Sequence, residues 1–201
     1  MLATLLTQLG FAVEKIENAS RAAMFDALAR FVERLETAEG GVAFVYFAGH
    51  GFQDEGINYL LGVDAEPASS VQLKNAALAI GDIVQAMAVR PRKANVIVVD
   101  ACRTALGEGR SRTRDVTEGL ADLKLPPDAT MLVAYSTSAG TIAADVAAQS
   151  SEFGSHSPYA AALHQALPTL LEPDRRIHDV FVEAAERVRE TSGSTQSPAL
   201  Y

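Results

Sequence analysis

Apolar residues along the chain follow two spacings, which predict helices that alternate with buried strands. A spacing of three or four residues, typical of the buried face of a helix, is found in five segments: 2–9, 20–39, 80–89, 158–167 and 177–190. Short continuous apolar runs, typical of strands covered on both faces, occupy 42–48, 96–100 and 131–136, and two further short strands are predicted at 11–16 and 59–63. We therefore expect an α/β fold, a three-layer α-β-α sandwich with a mainly parallel sheet.

Two polar segments interrupt this alternation. Residues 103–127 are rich in Gly, Ser, Thr and charged side chains and have no apolar period, so we expect a long mobile connection. Residues 140–157 are small and polar, and the tail after residue 190 is predicted to be a loop followed by an edge segment. The sequence contains no internal repeat and no domain linker, so residues 1–201 are predicted to form a single domain.

Composition is that of an ordinary globular protein and argues against nucleic acid as a partner. The 201 residues are 48% hydrophobic and 21% charged, far from the balance of disordered chains. The formal net charge is -8, and the sequence has no long basic stripe that would bind a phosphate backbone. The same charge favours a cationic peptide or protein as substrate through long-range attraction.

The chain contains one cysteine, Cys102, so an internal disulfide is impossible and a reducing compartment is expected. No apolar run reaches the roughly 20 residues that span a bilayer. The N-terminal residues lack the basic segment of a signal peptide. We therefore expect a cytoplasmic protein without a membrane partner.

His50 and Cys102 each follow directly after a predicted buried strand. His50 lies between Gly49 and Gly51, a sequence typical of a tight turn that presents the imidazole at the sheet edge. An imidazole beside a thiol can take its proton and later protonate a departing amine, which is the chemistry of amide hydrolysis. Taken singly, His50 is interpreted equally well as a solvated turn residue, and Cys102 as a small buried hydrophobic residue.

Together the two motifs resemble those of the caspase-like peptidases, the clan of caspases, metacaspases and paracaspases. The matching strings are Phe47-Ala-Gly-His-Gly51 and Asp100-Ala-Cys-Arg103. The family's histidine lies about 50 residues before its cysteine, and here the separation is 52 residues. Segments 58–64 and 134–140 also resemble family strands.

This resemblance extends from about Leu5 to Leu200 and includes the bacterial metacaspases, or orthocaspases. It implies the caspase-hemoglobinase fold and a catalytic dyad of His50 and Cys102. It also implies that the backbone N–H groups of Gly51 and Cys102 form the oxyanion hole. The function expected from the resemblance is that of a cysteine endopeptidase.

The resemblance further implies where the substrate side chain binds. Animal caspases have a glutamine two residues before the nucleophile, where this chain has Asp100, as in the metacaspase pattern. Aligning residues 134–145 with caspases puts Asp145 where an aspartate-binding arginine normally stands. Two carboxylates repel an acidic side chain and attract a basic one, so we expect cleavage after Arg or Lys. The alternative interpretation is that Asp100 merely ends a strand and Asp145 is a solvated loop charge.

The segment 103–127 carries five basic residues, so a peptidase with basic specificity is able to cut its own connection there. These residues are Arg103, Arg110, Arg112, Arg114 and Lys124. A solvated charged loop is an equally good interpretation of the segment, and the sequence singles out no bond.

Two features favour an alternative function. Family members usually begin with a buried strand beside the histidine strand, and this sequence shows no such strand before its first helix. The loop after that strand normally supplies a third pocket residue. The alternative is therefore a catalytically silent caspase-like module that serves as an interaction domain.

No cofactor is expected, because the peptidase chemistry needs no metal and no residues have the spacing of a structural zinc site. Some metacaspase-type relatives require calcium, which acidic loops are able to bind, so calcium stays possible although no EF-hand string is present. A nucleotide-binding or redox module is disfavoured. No glycine-rich phosphate loop follows a predicted strand, and no second cysteine completes a C-x-x-C motif.

Overall fold

The computed structural model describes residues 1–201 with the exception of 39, 67–69, 89–93, 103–124, 126–129, 138–155, 193–195 and 197. Its strands are β1 (Val42–Asp54), β2 (Ile57–Leu61), β3 (Ala77–Ala79), β4 (Ala94–Cys102), β5 (Met131–Tyr135) and β6 (Ala199–Leu200). Its helices are α1 (Leu2–Gln8), α2 (Arg21–Thr37), α3 (Ser70–Asn75), α4 (Ile80–Ala88), α5 (Pro158–Ala166) and α6 (Ile177–Thr191), with a 3-10 helix at Leu167–Leu171.

Within the described residues the strands form one sheet in the order β3-β2-β1-β4-β5-β6. β1, β4 and β5 are parallel to one another, whereas β2, β3 and β6 join the sheet by antiparallel pairing. The parallel centre confirms the predicted fold class. β6 confirms the edge segment predicted in the tail, whereas α3 and β3 had no counterpart in the apolar pattern.

Side chains of β4 alternate between two apolar layers. Val96 and Val98 pack in a cluster with residues of α1, α5 and α6, and Ile97 and Val99 pack with residues of α2 and α4. All four are at most 1% exposed. This burial is expected for a strand that has neighbours on both sides and helices on both faces. The predicted three-layer sandwich is therefore confirmed.

Serine side chains begin two of the helices. Ser20 Oγ accepts a hydrogen bond from the N–H of Ala23 at 3.2 Å ahead of α2. Ser157 Oγ accepts one from the N–H of Ala160 at 3.0 Å ahead of α5. A cap of this kind typically stabilises a helix by about 1 kcal/mol.

The prediction of a strand at residues 11–16 is wrong. The segment between α1 and α2 is neither strand nor helix, and residues 12–16 are exposed. Phe11 packs edge-on against Phe44 of β1, with ring centroids 6.0 Å apart. No described strand pairs with this segment. The backbone N–H and C=O groups of an unpaired extended segment form hydrogen bonds with water instead of with a neighbouring strand. Of its large apolar residues, Phe11 contacts β1, whereas Val13 and Ile16 are exposed.

The prediction of a tight turn at His50 is also wrong, because β1 continues through it to Asp54. Up to His50, β1 pairs in parallel with β4, and from Gly51 onward it pairs in antiparallel fashion with β2. The chain turns instead at Glu55 and Gly56, where φ is 50° and 81°. Two successive positive φ values are typical of two-residue hairpin turns, because they match the twist of the flanking strands.

The first part of β1 has an open edge. Residues 42–49 pair with β4, and no described residue pairs with their other edge. Phe44 to Phe47 are only partly buried, and Ala48 and Gly49 are exposed. This edge carries no charge and no proline, the features with which natural sheets usually protect an edge.

Candidate active site

His50 and Cys102 form the last register pair between β1 and β4. Neighbouring strands lie about 4.8 Å apart, so the two backbones are adjacent where both parallel strands end their pairing. Residues paired in register belong to the same face of a sheet. His50 is exposed, as a base that meets a substrate must be. The register brings together the two residues singled out in the sequence, and their chemistry stays a prediction.

Gly51 follows this pair directly, at the point where β1 changes partner from β4 to β2. It is buried and lies opposite Leu60. A glycine here leaves no side chain between the backbone and a ligand at the strand end. The position fits the backbone role that the family resemblance implies, and that role also stays a prediction.

Asp100 lies two residues before Cys102, at a position on the same face of β4, and is 7% exposed. Tyr46 Oη donates a hydrogen bond to its Oδ2 at 2.7 Å, and Ser157 Oγ donates another to the same oxygen. Tyr46 belongs to β1 and Ser157 is the N-cap of α5. Hydroxyl groups from two different elements therefore hold one carboxylate, which is buried and hydrogen-bonded rather than a solvated strand end.

No positive side chain compensates this carboxylate within the described chain, because no ion pair there involves Asp100. Burial raises the pKa of Tyr46 well above its ordinary value, and the charge of Asp100 raises it further. Burial, followed by Asp100, likewise raises the pKa of Tyr159, whose Oη lacks a hydrogen-bond partner among described groups. Both phenols are neutral at physiological pH. A buried carboxylate whose described neighbours are neutral is stabilised by a bound cation.

Tyr46, Ser157 and Tyr159 were missed in the sequence as neighbours of Asp100. Tyr46 places a hydroxyl in an apolar run four residues before His50, a spacing that puts both on one strand face. Ser157 precedes a proline, a typical helix start. These signals were present, but Tyr46 and Ser157 are 54 and 57 residues from Asp100. Predicting these contacts requires knowing the register in which β1 and β4 pair and the position of α5 on the sheet.

Several predicted features lie outside the described residues. These are Asp145 and the segment 103–127 apart from Leu125, so the second acidic pocket residue and self-cleavage stay predictions. In the described residues no group of three or more His, Cys, Asp and Glu side chains is arranged to hold a metal ion. No described helix has the length and apolar character needed to cross a membrane. Calcium dependence and cytoplasmic location are likewise untested expectations.

Comparison with known proteins identifies a family for the whole chain. The sequence profile of the caspase domain, peptidase C14, matches residues 1–201. Among solved structures, the crystal structure of caspase-1 from Spodoptera frugiperda is similar, with a TM-score of 0.58 and 15% identity, and the match covers 100% of this chain and 74% of that one. At this identity the likeness shows the fold. A search of curated proteins finds no match.

Proposed function

This chain belongs to the caspase-domain family of cysteine-type peptidases, and we propose that it hydrolyses peptide bonds after arginine or lysine with His50 and Cys102 as its dyad. One observation carries the dyad: the two residues are register partners at the end of the β1–β4 pairing. Nothing in that arrangement requires a metal for the reaction, and the substrates are peptides or proteins with a basic residue at the cleaved bond.

In the proposed reaction, His50 takes the Sγ proton of Cys102 and the thiolate attacks the carbonyl carbon of the substrate. The carbonyl oxygen becomes an oxyanion, for which the backbone N–H groups of Gly51 and Cys102 are the proposed donors. When the C–N bond breaks, His50 gives its proton to the departing amine and the acyl group stays on Cys102 as a thioester. A water molecule, deprotonated by His50, then hydrolyses the thioester and restores the thiol.

Asp100 supports specificity for basic residues. Its carboxylate is buried, has no ion-pair partner in the described chain, and lies two residues from Cys102. A substrate guanidinium or ammonium group would compensate this charge, whereas an aspartate would place a second negative charge beside it. Asp145 is proposed as a second acidic residue of the pocket on the sequence argument alone.

Fluorogenic peptides that differ only in Arg, Lys or Asp at the cleaved position test the proposal, each with and without calcium. We expect hydrolysis after Arg and Lys that falls at least about a thousandfold in Cys102→Ala and His50→Ala. Asp100→Asn, which keeps the shape of the side chain, should lower kcat/KM for both basic peptides by about 10- to 100-fold, the loss expected for a hydrogen bond between charged groups.

The outcomes separate the parts of the proposal. Cleavage only after Asp would retain the dyad and overturn the acidic pocket. A folded sample that cleaves none of the peptides, in either calcium condition, would contradict the peptidase and favour the interaction module.

A further inference from the structure

Hydrogen bonds to Asp100 are shared unevenly between its two carboxylate oxygens. Tyr46 Oη and Ser157 Oγ both donate to Oδ2, and no described residue donates to Oδ1. Within the described part of the chain, both donors engage the same oxygen of this carboxylate.

Two donors on one oxygen fix the orientation of the carboxylate. The terminal torsion of an aspartate is intrinsically broad, so an unheld carboxylate samples many orientations. Turning Asp100 would break two hydrogen bonds that are strengthened by its negative charge. The group is therefore preorganised before any substrate arrives.

The two donors tie together the elements around the dyad. Tyr46 lies on β1 four residues before His50, and Ser157 caps α5 through its contact with the N–H of Ala160. The hydroxyl of Ser157 accepts that hydrogen bond and donates its own proton to Asp100. Asp100 is thus connected both to the strand of the proposed base and to a helix on the sheet's face.

We propose that Tyr46 and Ser157 are positioning residues for substrate recognition, which hold Oδ2 of Asp100 so that Oδ1 receives the basic side chain. This inference rests on the proposed function, because it takes Asp100 as the acceptor of the substrate cation. The pairing that favours arginine places one guanidinium N–H on each of the two carboxylate oxygens, and it is excluded here because Oδ2 already accepts two hydrogen bonds. Arg and Lys peptides should therefore have kcat/KM values within about tenfold of each other.

Steady-state kinetics of Tyr46→Phe and Ser157→Ala on the Arg and Lys peptides test the inference. Each variant should raise KM by about five- to tenfold, as expected for the loss of one positioning hydrogen bond, with kcat within about twofold of the wild type. Ser157→Thr keeps a hydroxyl and should keep KM near the wild-type value. Alkylation of Cys102 by iodoacetamide, a reagent without a basic side chain, should proceed at the wild-type rate in all three variants.

Matched controls separate positioning from general destabilisation. Ser20→Ala removes the equivalent cap of α2, and Tyr59→Phe removes a phenol from β2, both without touching Asp100. Neither control should change KM. If Ser157→Ala fails to fold, Tyr46→Phe and Ser157→Thr decide the question.

Three results would overturn the inference in distinguishable ways. An active wild type with unchanged KM in Tyr46→Phe and Ser157→Ala removes the positioning role and leaves the dyad and basic specificity intact. An Arg preference of more than about a hundredfold shows that both oxygens pair with the substrate. A wild type that does not cleave after Arg or Lys refutes the proposed function and this inference with it.

Discussion

β1 and β4 run side by side through nine register pairs, yet they are buried to very different degrees. Every residue of β4 from Ala94 to Ala101 is buried, whereas among residues 42–50 of β1 only Ala43 is. Both strands are apolar and both have helices on their faces. The difference is that β4 pairs with β1 and β5, while residues 42–49 of β1 have β4 as their described partner.

An apolar run therefore predicts a strand without predicting whether the strand is interior. A strand becomes interior when a second strand pairs with its other edge. The residues of the first strand do not show whether that second strand is present. For the proposed chemistry the difference is useful. The proposed nucleophile belongs to the strand that has a neighbour on both sides, and the proposed base belongs to the strand with an open edge among the described residues.

Hydrogen exchange should show the largest contrast between the two strands. Backbone amides on the open edge within residues 42–49 have no described acceptor, so they should exchange at least about a thousandfold faster than the amides of β4, which open only with global unfolding. Exchange measured by mass spectrometry or NMR at neutral pH provides the comparison. Equal protection in both strands would mean that the open edge is covered in solution.

Replacing one valine by alanine in each strand tests the same difference in burial between β1 and β4. Val99 of β4 is 1% exposed and Val45 of β1 is partly buried, and both belong to the layer with α2 and α4. Val99→Ala should lower the free energy of unfolding by about 2–3 kcal/mol, because it removes two buried carbon atoms and leaves a cavity. Val45→Ala should cost about 1 kcal/mol or less. Urea denaturation measures both, and equal losses would contradict an open β1.

The smallest expected effect concerns the hydrogen bond between Tyr46 of β1 and Asp100 of β4. Because the pKa of Tyr46 is raised in the folded protein, the unfolded chain releases this proton first as the pH rises above about 10, the ordinary value. The unfolded state then binds fewer protons than the folded state, so stability is complete below about pH 10 and falls above it. Tyr46→Phe should make this alkaline decline shallower in urea denaturation between about pH 9 and 11. An unchanged slope would show that Tyr46 titrates alike in both states.

Much of the fold follows from apolar periodicity, because the three long apolar runs coincide with the three parallel strands β1, β4 and β5. β4 and β5 lie within a few residues of their predicted bounds. The errors at residues 11–16 and at His50 share a physical origin. In both places strand formation depends on a pairing partner elsewhere in the chain. Residues 11–16 have no partner strand in the described part of the chain, whereas the residues after His50 pair with β2.

The residues of the candidate site likewise fall into two groups, those that the sequence identifies and those that only the structure brings close to them. His50, Cys102 and Asp100 stand out in the sequence because each interrupts or follows an apolar run. The hydroxyl groups that hold Asp100 come from Tyr46 and Ser157, which only the fold brings near it. Local patterns identify reactive groups, whereas the contacts that orient those groups are set by tertiary structure.

The absence of a turn at His50 has a mechanical consequence. β1 passes through this residue as one extended strand, held by Cys102 on one side and, one position later, by Leu60 on the other. Register in a sheet changes only by whole residues, each about 3.3 Å long, and a slip by one residue moves a side chain to the opposite face. The alignment of His50 with Cys102 is therefore all or none. Small deformations of the sheet leave the pairing intact, whereas a slip by a single residue abolishes it.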